Sequence, residues 1–156
     1  MGIILNDKKA DQEDMRSAVY ALREQGFPIE VRVIWEAGDV ERLVSDAYRE
    51  NISRLITGGG DDTINEVVDT LSKHPHSERS ELAIFPLGTA NDFATACQIP
   101  SEPLDALHLA ETFSGHSAPM NLDGEPHQCK HVRFDVMTNA IQLVLSKNAP
   151  CFLQDF

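Results

Sequence analysis

Short apolar runs alternate with longer runs whose apolar residues recur every three or four positions, and this alternation constrains the fold more than any other feature of the chain. Met1 to Leu5 reads as a strand, and Gln12 to Gln25 as a helix with Met15, Ala18, Val19 and Leu22 on one face. Gly26 and Pro28 stop that helix. Ile29 to Ile34 alternates as a strand, and Gly38-Asp39 offers a turn and N-cap for a helix over Val40 to Glu50. The cycle repeats with a strand over Ile52 to Thr57, a helix over Thr63 to Ser72, a polar loop over His74 to Arg79, and a strand over Leu82 to Phe85. Asp92 or Asn91 is placed to cap a short helix, and Pro103 to start another through Leu104, Leu107 and Ala110. Strand and helix in alternation predict an α/β fold, a Rossmann-like parallel sheet with helices on both faces.

The pattern changes near Gly115. From Met120 onward the expected elements are a short strand, a turn at Asp123-Gly124, and strands over Val132 to Met137 and Ile141 to Leu145. The expected organisation is therefore an α/β domain over residues 1–114 and a small C-terminal β appendage over 115–156.

The strongest chemical signal is Gly58-Gly59-Gly60-Asp61-Asp62-Thr63-Ile64, set between a strand and a helix. Consecutive glycines let a backbone approach phosphate closely, and a helix start adds free N–H groups and a favourable dipole. The ending G-K-[ST] of a Walker loop is absent, and Thr63 stands where the last glycine of a dinucleotide fingerprint belongs. Three adjacent glycines exceed what a plain strand-to-helix turn needs, which favours a phosphate site. A second polar cluster, Thr89, Asn91 and Asp92 in Pro86-Leu87-Gly88-Thr89-Ala90-Asn91-Asp92-Phe93, follows the next strand. Taken alone, it reads as local helix capping. Both clusters fall at C-terminal ends of expected parallel strands, where open α/β sheets bind ligands. A third, Leu122-Asp123-Gly124-Glu125-Pro126, puts two carboxylates on a turn, which suits a general base or a metal but is more often an exposed acidic hairpin.

The formal net charge of −12 argues against nucleic acid and against tight electrostatic docking on anionic lipid. An anionic nucleotide bound here needs neutralisation by backbone amides, a metal ion or both. Cys97, Cys129 and Cys151 are scattered without a C-x-x-C pair, which suggests free thiols in a reducing compartment. His127, Cys129 and His131 lack a fourth ligand at zinc spacing and read as a polar loop. No apolar run is long enough to span a bilayer, and the first residues lack the features of a secretory signal, so the expected compartment is the cytoplasm.

The three motifs together resemble those of the bacterial YegS-like lipid kinases, members of the diacylglycerol kinase catalytic family. That family carries G-G-G-D-G-T-I-N-E-V, P-x-G-T-A-N-D-F-A and L-D-G-E, which stand here at Gly58 to Val67, Pro86 to Ala94 and Leu122 to Glu125. The resemblance implies ATP and a lipid as substrates, magnesium as helper, and transient contact with a membrane. It implies that the glycine loop and Thr89 hold the nucleotide, and that Glu125, beside Asp123, takes the proton from the lipid hydroxyl attacking the γ-phosphate. Three departures stand out. Asp62 replaces the family's glycine, and its carboxylate repels phosphate unless magnesium intervenes. Ile34 replaces a threonine near the nucleotide. Most of the second domain, with its lid strands and magnesium ligands, is missing, and an uncovered domain face favours homo-oligomers. The departures keep a second reading open: a degenerate paralogue that binds nucleotide or a partner without catalysis.

Overall fold

The computed structural model of the chain describes residues 1–112, 116–118 and 141–143. Its chain begins with β1 (Gly2–Asn6), a one-turn helix α1 (Asp7–Ala10) and α2 (Glu13–Glu24). Next come β2 (Glu30–Ile34), α3 (Asp39–Arg49), β3 (Arg54–Gly59) and α4 (Asp61–Ser72). A 3₁₀ turn (His76–Glu78) then precedes β4 (Glu81–Pro86), α5 (Asp92–Ala96) and α6 (Pro103–Thr112). Two short strands, β5 (His116–Ala118) and β6 (Ile141–Leu143), complete the set.

These strands form one sheet in the order β2-β1-β3-β4-β6-β5. The first five in that order run parallel, and β5 runs antiparallel to β6. The expected α/β class holds. The run expected as a strand at Ile141 to Leu145 is found as Ile141–Leu143, but it lies beside β4 in the main sheet, with Leu143 opposite Leu82. The other features expected beyond Gly115, namely the Asp123-Gly124 hairpin, the strand at Val132 to Met137, and the loop of His127, Cys129 and His131, lie outside the described residues.

Successive strand residues point to opposite faces, and this period builds two cores. Ile4, Leu55, Leu82 and Ile84 pack under α3 and α4 with Val44, Ile64, Val67 and Leu71. Ile3, Leu5, Ile56, Ala83 and Phe85 face the other way, against Met15, Val19 and Leu22 of α2 and Leu107 of α6. The central strands are covered on both sides, which is why they read as continuous apolar runs. Each fully buried Leu, Ile or Phe contributes about 1.5–3 kcal/mol, so these two layers dominate the stability of the sheet.

Chain direction reverses about the β1–β3 pair. From β1 the chain moves outward through α1 and α2 to β2; after α3 it crosses to the other side of β1, forms β3, and continues outward to β4. The connections leaving β1 and β3 therefore diverge, opening a crevice at the C-terminal edge of the sheet, the usual ligand position in such folds. Among the described residues no helix is long and apolar enough to cross a membrane.

Candidate functional site

The glycine loop sits at that crevice. Gly58 lies in register with Leu5 of β1 and with Phe85 of β4, and Gly59 with Pro86. Gly58 and Gly59 are the last two residues of β3, and the helix begins at Asp61, two residues before the expected start. Gly60 is the N-cap, in an extended conformation, and supplies no side chain to cap the helix. The first turn closes with Ile64 N–H donating to the Gly60 carbonyl at 3.1 Å. The amides of Asp61, Asp62 and Thr63 are thus left without an intrahelical acceptor, and the helix dipole adds to their affinity for anions.

None of the three glycines adopts a left-handed backbone; among the described glycines only Gly26 and Gly38 do. They are demanded by packing. A Cβ on Gly58 would lie 2.2 Å from Leu5 Cδ2, and one on Gly59 2.6 Å from both Cβ and Oγ1 of Thr63. A Cβ on Gly60 would come within 3.3 Å of the Gly88 Cα. Each of the three therefore has a neighbour in or against the space its side chain would take.

The second motif folds against the first. Leu87 N–H donates to the Gly59 carbonyl at 3.0 Å, which holds the turn after β4 beside the end of β3. Asn91 is the N-cap of α5, with φ 51° and ψ 45°, but its side chain does not cap that helix. It turns back on Gly88, accepting from the Gly88 N–H and donating to the Gly88 carbonyl, each at 2.8 Å. The start of α5 is served from the other loop: the Asp61 carboxylate accepts from the N–H groups of Asp92 (3.3 Å) and Phe93 (3.4 Å). Of the remaining expected site residues, Asp62 and Thr89 are exposed, Thr63 is half-buried, and Ile64 is buried in the core, so only its backbone faces the loop. Asp123 and Glu125 lie outside the described residues.

Residues 1–122 match the diacylglycerol kinase catalytic domain. The chain belongs to that family. Its relatives include proteins named as YegS-like lipid kinases, from Yersinia enterocolitica (51% identity, 69% of this chain and 36% of the relative), Shewanella frigidimarina (46%, 77% and 38%) and Xanthomonas campestris (44%, 83% and 44%). A solved structure named as a diacylglycerol kinase, from Bacillus anthracis, is similar with a TM-score of 0.56 at 26% identity, over 69% of this chain and 41% of that one. The chain thus spans about two fifths of the length of the curated relatives it matches.

In this member of the diacylglycerol kinase catalytic family, the same edge of the sheet carries the ends of β1 and β2 and the turn that follows β2. Asn6, the last residue of β1, accepts from Lys8 N–H at 3.0 Å and starts α1. Ile34 ends β2 half-buried against the α3–α4 core, and Trp35 beside it is 75% exposed. The β2–α3 turn is fixed by Asp39, whose carboxylate accepts from the N–H groups of Trp35 (2.8 Å) and Glu36 (3.2 Å) and from Arg42 (2.6 Å). Arg42, aided by those two amides, holds the Asp39 carboxyl below the usual carboxylate range. The signal was present as Gly38-Asp39, but Gly38 is the N-cap and Asp39 the first helical residue, reaching back over the turn. A groove of about 940 Å³ lies between α2 and the outer strands, floored by Leu5, Val31 and Val33 and flanked by Tyr20 and Trp35; no residue of the glycine loop lines it.

Proposed function

We propose that this chain carries the nucleotide-binding part of an ATP-dependent lipid kinase, and that it transfers the γ-phosphoryl group of ATP to a lipid hydroxyl. The observation that supports this most is the uncapped start of α4, opposite the Gly88–Thr89 turn, at the crevice where the sheet reverses direction. In this reading the amides of Asp61, Asp62 and Thr63 meet phosphate oxygens, the Gly58–Ile64 segment sets the backbone close to them, and Thr89 and Asn91 border the other side. Magnesium bound with ATP neutralises the β- and γ-phosphate oxygens. Among the described residues no group of three or more His, Cys, Asp or Glu side chains is placed to hold a metal ion. Glu125, with Asp123 beside it, is proposed to accept the proton of the attacking hydroxyl; diacylglycerol and phosphatidylglycerol are the lipid classes to test.

The nucleotide-binding domain is proposed to span 1–114, and 115–156 to be the remnant of the second domain, with β5 and β6 contributed back to the sheet. The proposed setting is the cytoplasm, with brief visits to a membrane to meet lipid, and a homo-oligomer is the proposed assembly. The experiment is incubation of the purified chain with γ-labelled ATP, magnesium and a panel of lipid vesicles, beside calorimetric titration with ATP and magnesium. Labelled lipid is the expected product. No transfer, with nucleotide binding retained, would instead establish a non-catalytic nucleotide-binding paralogue, a reading favoured by Asp62 on the first turn of α4. Loss of both signals would sink the nucleotide proposal.

A further inference from the structure

Gly88 is pressed between two groups. On one side, the carboxamide of Asn91 makes paired hydrogen bonds to its N–H and carbonyl, both at 2.8 Å. On the other lies the glycine loop, so close that a Cβ on Gly88 would sit 2.5 Å from the Gly60 Cα and 2.7 Å from Asn91 Oδ1. The contact falls beside the free amides of α4. Only a side chain with one acceptor and one donor at this reach closes both bonds: aspartate offers two acceptors, and glutamine is a methylene too long. Asparagine also tolerates the left-handed backbone that the position requires (φ 51°) better than most residues.

We propose that Asn91 is a positioning residue: its side chain fixes the Gly88–Thr89 turn against Gly60, and so sets the gap between Thr89 and the α4 amides, without itself touching nucleotide. The inference rests on the reading of the α4 start as the phosphate site. The paired bonds to Gly88 fix the orientation of the carboxamide and use one N–H and one Oδ1 lone pair, so its second N–H is the group that would report any direct contact with ATP. The role is distinct from that of Thr89, which is exposed at the turn that Asn91 holds.

The test compares the native chain with Asn91→Gly and Asn91→Ala, by calorimetric titration with ATP and magnesium and by amide hydrogen exchange. Glycine keeps the left-handed backbone free of strain and removes only the side-chain bonds; alanine removes the same bonds and adds strain. Both variants are expected to bind roughly tenfold more weakly, the scale of about one net hydrogen bond. The Gly88 amide is expected to exchange several-fold faster in Asn91→Gly. In the native chain, nucleotide is expected to shift the NMR signals of the Gly60, Thr63 and Thr89 amides and leave the Asn91 side-chain NH₂ in place. Native-like affinity in Asn91→Gly, or a large shift of the Asn91 NH₂ on nucleotide addition, would overturn the positioning role while leaving the nucleotide site standing. Failure of the native chain to bind overturns the site itself, and the proposal with it.

Discussion

Arg54, at the start of β3, holds Glu81, at the start of β4, through Nε (2.9 Å) and Nη2 (2.5 Å). Its remaining nitrogen, Nη1, donates to the carbonyls of Ala110 and, at 2.8 Å, Glu111 at the end of α6. One guanidinium thus ties two central strands to the C-terminal end of a helix, where a cation also complements the dipole. The Arg54 side chain is only 14% exposed, so its loss leaves Glu81 and two helix carbonyls under-satisfied in a mostly dry site. Arg54→Ala should cost about 2–3 kcal/mol in chemical denaturation, and Glu81→Gln about 1 kcal/mol, because a neutral acceptor remains. A loss in Arg54→Ala no larger than that of an exposed ion pair, below about 0.5 kcal/mol, would contradict the clamp.

Alanine at the site glycines should separate them by what the new methyl meets. Gly88→Ala meets the backbone of Gly60 and should cost about 2–3 kcal/mol, in the range of an overpacked core. Gly58→Ala first meets a methyl of Leu5, the far end of a side chain that can rotate, and should cost less. Thermal or urea unfolding of both variants checks the order; equal losses would mean that the two loops are not packed as closely as Gly60 and Gly88 indicate.

Acid should weaken the β2–α3 turn. The folded-state pKa of Asp39 is lowered, first by Arg42 and then by the Trp35 and Glu36 amides, so its ionised form stabilises the fold. That contribution is fully present above the unfolded-state pKa of about 3.9 and disappears as pH falls through the lower folded-state value. Asp39→Asn should therefore be less stable than the native chain at pH 7, with the difference shrinking below about pH 4. Urea unfolding of both proteins at pH 7 and pH 3 provides the comparison, and a constant gap would rule out the carboxylate as its source.

Asp62 bears directly on nucleotide affinity. It is exposed on the first turn of α4, beside amides proposed to meet phosphate. One like-charge contact at about 4 Å in water costs about 1 kcal/mol, so Asp62→Gly should tighten ATP binding by about fivefold. The gain should be largest without magnesium, because a bound cation masks the repulsion. Calorimetry in chelator and in excess magnesium measures both, and weaker binding by Asp62→Gly in magnesium would indicate that this carboxylate serves the metal.

Much of this fold was written in periods that a single chain displays. Helices α2, α3 and α4 carry apolar residues at helical spacing, and their buried faces are those residues. The central strands β1, β3 and β4 are buried on both sides, so their runs are mostly apolar, while the edge strand β2 alternates. Where local pattern falls silent, long-range packing decides. Helix α1 has no buried residue, hence no period; only the Asn6 side chain marks its start. Gly58 and Gly59 look like a loop, because nothing local shows that Leu5 and Thr63 fill their side-chain space. Asn91 looks like a helix cap or a ligand, because its true partner, Gly88, is chosen by a left-handed turn that sequence does not display. Strand β6 looks like part of an appendage, because Leu82, its neighbour in the sheet, is remote along the chain.

Strands β5 and β6 carry a consequence for how such a chain can change length. Ala118, at the end of β5, stands directly opposite Ile141, at the start of β6. Two points paired across one antiparallel ladder act as a socket: whatever joins them begins and ends at the same place. The parallel strands, the glycine loop and the Gly88 turn feel only that the two ends are held together. A connection of any length, from a short link to a whole inserted domain, can occupy the socket without moving the crevice. The register of the sheet is therefore independent of the length between Ala118 and Ile141.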